Sequence, residues 1–320
     1  MAANDDTASM PFIKHLASSD RRVRDDALST LRAFLSGTRR LGPTDNLKLW
    51  KGLFYSLWMC DRPVPQQKLC AELAGLARAL PSDAAVRPWL EAFWATVARE
   101  WTTGIDVLRM EKFLLLVRRV FGASLEWVVE GLGRERGRQG KKRKRSKSSD
   151  GRSRKNEDEE NDDALDRMEE MLSVFSAWPF EKTGDLSKVP VGLRLHVLDI
   201  WVDEAEKLDL WPRDDAEEEE EEEEEDAKEG NKRKNKNKNR RKNGEEGREE
   251  EKLQFLDRIW EVVEVQTKSA CKPVRARAKE SLADERLPWN KAEEESGDDE
   301  DLEMAKDAPG DKDSWDGFED

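Results

Sequence analysis

Residues 47–66 read LKLWKGLFYSLWMCDRPVPQ, and this block constrains the fold more than any other stretch of the chain. Trp50, Phe54, Trp58 and the sole tyrosine, Tyr55, crowd into little more than two helical turns. Trp50, Leu53, Phe54, Leu57 and Trp58 recur at intervals of 3 and 4, the spacing of one helix face. Tyr55 and Met59 stand off that stripe, so the helix is apolar nearly all round, which is the mark of an element covered on several sides. Asp61-Arg62-Pro63 ends it, because proline disfavours helical geometry in the residue before it. In a sequence that is 40% charged, so concentrated an apolar block must be the heart of a folded domain. The expected core is Trp50, Leu53, Phe54, Leu57 and Trp58, joined by Phe93, Trp94, Trp101 and Phe113 from later helices. A second reading gives Tyr55 or Met59 to a partner groove.

The flanking sequence is helical throughout, with no strand pattern between residues 11 and 131. Pro11–Ala17 reads as a short helix. Ser19 or Asp20 caps a second, with Val23, Ala27, Leu28, Leu31, Phe34 and Leu35 on one face. Pro43 opens the aromatic helix, and Pro65 lies in the first turn of the next, which Pro81 closes. Val86–Trp101 and Ile105–Phe121 follow, then a short helix over Leu125–Leu132. That is an all-α, antiparallel stack joined by short links. Its start, FIKHLASSDRRVRDDALSTLRAFL, has the texture of a HEAT-like helical repeat: a short helix, a Ser-Asp turn, then Val23-Arg24 with a small Ala27 that lets helices approach closely. Val274-Arg275-Ala276-Arg277-Ala278 echoes it.

Charge divides the chain. Through Glu130 there are 18 basic and 15 acidic residues, whereas residues 134–155 carry 12 basic and 2 acidic. The whole chain nevertheless has a net charge of −14, so its second half is strongly acidic. Blocks of like charge bury too little apolar surface to fold. The expected organisation is a flexible N-terminus (1–10), a helical-repeat domain (11–133), a basic disordered linker (134–162), further helices docking on the domain (163–211), an acidic then basic low-complexity linker (212–247), C-terminal helices (248–288) and an acidic disordered tail (289–320). Within the second linker a run of glutamates, Glu217–Glu225, precedes a basic Lys232–Lys242 tract.

No catalytic constellation emerges. His15 and His196 lie on semi-apolar helices without a Cys, Ser or acid in triad-like company. The 3 cysteines, Cys60, Cys70 and Cys271, form no CxxC pair, which argues against a zinc site or a disulfide framework. No apolar run is long enough to span a bilayer, and the N-terminus has no signal pattern. The expectation is an intracellular, non-enzymatic protein with no cofactor, no membrane partner and no small-molecule substrate. Binding remains. The KKRKRSK cluster (Lys141, Lys142, Arg143, Lys144, Arg145, Lys147) is a candidate nuclear import signal. Lys141–Arg145, with Arg21, Arg22, Arg24, Arg118 and Arg119 at helix ends, are candidate phosphate contacts to RNA or contacts to a partner. Arg24 could instead pair with an acid inside the stack. Nearly all 12 tryptophans sit at core spacing; Trp289 and Trp315, in the polar tail, stand apart.

Three blocks carry a family resemblance: Phe12–Leu35, Leu47–Gln66 and FWATVAREWTTGIDVLRMEKFLLLVRRV (Phe93–Val120), with a weaker fourth at PVGLRLHVLDIWVDEAEK (Pro190–Lys207). Through them the chain resembles the ribosomal RNA processing protein 1 family, nucleolar factors of large-subunit assembly. Thr102-Thr103 makes one link longer than the family pattern, and Val107 and Leu115 stand where that pattern has Arg and Tyr. The resemblance implies a nuclear, mainly nucleolar helical-repeat scaffold with no nuclease activity of its own. It implies a place on pre-60S ribosomal particles, among other assembly factors and pre-rRNA, in rRNA maturation. An acidic nuclear chaperone or transport adaptor for basic proteins is the alternative, resting on the glutamate run; an rRNA-cleaving enzyme is the third reading.

Overall fold

The computed structural model describes residues 12–37, 41–142, 155–211 and 232–290. Residues 1–284 form one compact unit and residues 285–320 a second; every helix named below belongs to the first. Among the described residues all regular elements are helical. They are α1 (Phe12–Leu16), α2 (Arg21–Leu35), α3 (Pro43–Trp58), α4 (Pro63–Ala74), α5 (Val86–Glu100), α6 (Met110–Lys142), α7 (Lys155–Ala177), α8 (Val191–Glu206), α9 (Lys232–Glu264) and α10 (Lys272–Leu282). Short 3-10 turns lie at Gly75–Ala79, Asp83–Ala85, Val107–Arg109 and Val265–Lys268.

The elements alternate between two rows. In one row α1 packs on α3, α3 on α5, α5 on α7 and α7 on α9; in the other α4 packs on α6, α6 on α8 and α8 on α10. The pairs α1/α2, α3/α4, α6/α7, α6/α9 and α9/α10 cross between rows. This is the nearest-neighbour logic of a helical repeat. A repeated detail confirms it. Arg24 donates from Nη1 to the carbonyls of Ser18 (2.8 Å) and Ser19 (3.0 Å). Arg275 does the same to Ser269 (2.6 Å) and Ala270 (3.3 Å). In both repeats an arginine one residue after a valine reaches six and five residues back, tying a helix start to the turn before it. Ala27 and Ala278, three residues further on, are buried in both. The Val-Arg echo in the sequence is therefore a structural repeat.

Local chemistry sets the boundaries. Asp20 caps α2 by accepting from the Arg22 N–H at 2.8 Å. Pro43, Pro63 and Pro273 lie in the first turns of α3, α4 and α10, where a missing N–H costs nothing. Several boundaries differ from expectation. Ile105–Arg109 is a link, and α6 begins at Met110. Gly122-Ala-Ser does not break the chain into two helices; the packed apolar residues on either side outweigh the roughly 1 kcal/mol penalty of a mid-helix glycine. Beyond Leu132 the helix runs on through Arg-, Glu- and Lys-rich sequence to Lys142, and α9 starts at Lys232 inside the basic tract; both stretches were expected to be linker. Arg, Lys and Glu are good helix formers even without a core face.

The aromatic block sits at the centre of the first row. Trp50 is 2% exposed, its Nε1 donates to the Trp89 carbonyl at 3.0 Å, and its ring lies 4.8 Å from Phe93. Phe54 stacks on Phe113 at 4.5 Å, joining α3 to α6. Leu53, Leu57, Trp94 and Trp101 are buried, each worth roughly 1.5–3 kcal/mol by area. Trp58, expected in the core, is only half-buried. It closes the last turn of α3, where its ring is covered from outside by Arg109, whose guanidinium lies 4.7 Å from the ring centre. Trp289 is likewise half-buried and not the free side chain expected; Trp315 lies outside the described residues.

Candidate interaction surfaces

Much of the polar chemistry of this stack holds helices together. The deepest example is Arg194 on α8, 1% exposed. Its guanidinium donates to Glu181 Oε2 (2.9 Å) and to the carbonyls of Glu181 (2.8 Å), Asp185 (3.0 Å) and Val189 (3.1 Å). Glu181 also accepts from Thr183 N (2.8 Å), Thr183 Oγ1 (2.6 Å) and Asp185 N (3.0 Å). Burial alone would raise its pKa, but these hydrogen bonds win and hold the carboxyl down at about 2. Gln266, buried just after α9, donates to the Phe180 carbonyl at 2.8 Å and accepts from Arg194 at 3.4 Å. One node thus fastens the C-terminal helices to the α7–α8 link.

The arginines expected to contact RNA divide on this ground. Arg24 is buried and held by the turn carbonyls, so neither of its expected roles, phosphate contact or acid pairing, describes it. Arg118 is half-buried and bonds Glu204 Oε1 at 2.6 Å and Asp203 Oδ2 at 2.8 Å, clamping α6 to α8. It is engaged inside the stack and not presented to a partner. Gly122, one turn on, makes room for this cluster: a Cβ there would lie 2.5 Å from Glu204 Oε2. Arg21, Arg22 and Arg119 are exposed, Arg21 in a loose pair with Asp25 at 3.4 Å. The side chains of Lys141 and Lys142, at the end of α6, lie outside the described residues, as do Arg143, Lys144, Arg145 and Lys147 altogether.

Lys112 shows why one lysine in the third family-like block is not a surface charge. It is 4% exposed, and its Nζ donates to the carbonyls of Trp58 (2.7 Å) and Cys60 (2.9 Å), capping the C-terminus of α3. Burial pushes its pKa down. His196 accepts the same fate: its Nε2 lies 2.9 Å from the Leu114 carbonyl, and burial lowers its pKa. His15 is exposed. Among the described residues no group of three or more His, Cys, Asp or Glu side chains is placed to hold a metal. No described helix is long and apolar enough to cross a membrane.

Among the described residues, three surfaces stand out as little used by internal contacts. On α3 an outward stripe runs Lys48, Lys51, Tyr55, Met59 at helical spacing, with Tyr55 37% and Met59 36% exposed. Before α6, Val107 and Leu108 project with 87% and 91% exposure, beside the Arg109–Trp58 contact. The sequence reading placed both in a core helix, because an apolar pair beside a helical run carries no sign of the link it belongs to. The third surface is a groove of about 520 Å³ between α2 and α4, with Ser56 of α3 and Cys60 just beyond its end at the floor. Here α2 packs on the Gly75–Ala79 turn rather than along α4, and the row stands open. Arg21, Arg24, Arg32 and Lys68 line it against Asp25 and Glu72.

Comparison with known proteins decides the family. A family model described as "Nucleolar protein, Nop52" matches residues 7–317. The chain belongs to the Nop52 family. The match runs well past residue 208, where the resemblance read from sequence stopped. Among relatives, human "Ribosomal RNA processing protein 1 homolog B" is 32% identical over 206 residues, covering 63% of this chain and 23% of the relative. Mouse "Ribosomal RNA processing protein 1 homolog A" is 41% identical over 120 residues, covering 36% of this chain and 24% of the relative. The human homolog A is 42% identical over 118 residues, 35% of this chain and 25% of the relative. The aligned part of this Nop52-family chain thus spans about a quarter of the relatives it matches. The helical-repeat stack is the form that the family takes here.

Proposed function

We propose that this chain is a non-catalytic scaffold of large-subunit precursor particles, acting in the nucleolus in ribosomal RNA processing. The family match over residues 7–317, with relatives named as ribosomal RNA processing proteins, carries the reading. The arrangement of the stack supports it. Its buried ionic groups are turned to helix clamping at Arg118, Arg194 and Lys112, and extended repeat surfaces are suited to holding several neighbours at once. Lys141–Lys147 would serve nuclear import. Arg21, Arg22 and Arg119 would be the arginines left to touch pre-rRNA, together with Lys141–Arg145.

Gradient sedimentation of the tagged full chain tests the proposal. The expected result is cosedimentation with large-subunit precursors and, on depletion, accumulation of precursor rRNA with unprocessed spacer. A chain found wholly at the top of the gradient, with normal rRNA processing after depletion, would overturn it. Loss of basic-protein binding on deletion of Glu217–Asp226, with particle association absent, would favour the acidic chaperone reading instead.

A further inference from the structure

The opening between α2 and α4 interrupts the packing of successive helices. In the row of α4, α6, α8 and α10 consecutive members pack side by side. Along α2 the groove-facing positions recur at helical spacing from Arg21 to Ser36, and on α4 from Pro65 to Glu72. At 1.5 Å per residue the α2 wall is about 22 Å long and the α4 wall about 10 Å, so a helix lying along α2 would be held on both sides for about two turns. Leu28 and Ala33 on one wall and Leu69 on the other give it an apolar lining, with Ser56 at the floor. We infer that this groove receives one amphipathic helix of a partner protein, small and apolar on the inserted face and carrying carboxylates along its flank.

Charge selects that occupant. Arg32 is exposed on the groove wall with no carboxylate in ion-pair reach among the described residues. Arg21 and Lys68 are held only by exposed (i, i+4) pairs, at 3.4 Å to Asp25 and 3.8 Å to Glu72. Such pairs are worth a few tenths of a kcal/mol and re-form readily with a new partner. The buried guanidinium of Arg24 adds a fixed positive charge beneath. A helix suits the space because its backbone donors and acceptors are already satisfied, so the few apolar positions of the groove strand none of them. RNA suits it less: no aromatic side chain lines the groove for a base to stack on.

The test places the photoreactive residue p-benzoylphenylalanine at Ser29, exposed on the groove wall, in the full chain expressed in cells, and maps the crosslinked peptide. The expected product is one protein segment with carboxylates at helical spacing. Arg32→Glu should lower its yield about tenfold, as reversing a complementary interfacial charge does. Lys279→Glu, exposed on α10 and outside the groove, should leave the yield unchanged. Crosslinks to RNA, to the chain's own Glu217–Asp226 or to nothing, or a yield indifferent to Arg32→Glu, overturn the assignment. Cosedimentation of Arg32→Glu with large-subunit precursors, measured alongside, separates loss of this contact from loss of the particle.

Discussion

Glu181→Gln removes one charge from the deepest polar node and keeps the side chain's shape. Arg194 then stays 1% exposed with no countercharge, and an amide nitrogen faces some of the donors now supplied by Thr183, Asp185 and Arg194. Breaking a buried pair from one side costs about 3–5 kcal/mol. The lowered pKa of the same carboxyl leads to a similar figure. Its pKa falls from an ordinary 4.5 to about 2 on folding, which links to about 3 kcal/mol of stability at neutral pH. Because the folded-state value is the lower one, that stability is fully present above pH 4.5 and is lost as pH falls from there toward 2. At pH 3.5 about 1.4 kcal/mol of it has gone. Urea unfolding followed by tryptophan fluorescence at pH 7 and pH 3.5 measures both quantities. Glu181→Gln should cost about 3 kcal/mol at pH 7 and roughly half that at pH 3.5. A cost below 1 kcal/mol at pH 7, or the same cost at both pH values, would refute the assignment of this node as an ionic clamp.

Other perturbations probe the remaining ties. Arg24→Met and Arg275→Met should each lower stability by about 1–3 kcal/mol by freeing turn carbonyls; unequal effects in urea unfolding, one near zero, would break the equivalence of the two repeats. Lys112→Met strands the carbonyls of Trp58 and Cys60 and should cost about 2–3 kcal/mol, read by the same assay. Gly192→Ala puts a Cβ 2.9 Å from the indole Nε1 of the buried Trp101, and the overpacked α8 should melt several degrees lower by circular dichroism. Neutralising Lys141–Arg145 should flatten the salt dependence of RNA binding and leave the chain in the cytoplasm, as seen by binding titration and fluorescence microscopy.

What could be read from sequence followed the reach of each interaction. Helix faces such as Trp50, Leu53 and Leu57 were legible because burial repeats with the helix period, and that period is written in adjacent residues. Trp58 belongs to the same stripe but ends its helix, and periodicity does not say where covering neighbours stop. The arginines were opaque for a different reason. Arg24 acts on carbonyls in a turn whose path the sequence does not give, and Arg118 meets Asp203 and Glu204, far along the chain and beyond a basic tract. A charged residue looks the same in sequence whether it faces solvent or an acid brought to it by folding. Gly122 was read as a break, whereas its role is to admit a carboxylate beside a continuous helix. The groove between α2 and α4 left no trace at all, since a contact that is not made has no pattern.

The two charged tracts fall where such a stack tolerates them best. Arg143–Lys147 lies between α6 and α7, and Glu217–Asp226 between α8 and α9. Charge inside a row would have to be neutralised at every packed surface, as Arg118 and Arg194 are. Outside the packed rows the main cost of such a tract is a longer connection, about 0.6 kcal/mol for each doubling of length. Contacts that bypass the tracts offset this: α6 packs on α8, α7 on α9, and Arg167 of α7 reaches back to Asp83, while its guanidinium covers Trp127 of α6. Gln266, beyond the second tract, is bonded to Phe180 before it. Rows that register through space rather than through their links leave the links free to carry charge. One chain can therefore keep a packed helical stack and long basic and acidic tracts, each under its own physical constraint.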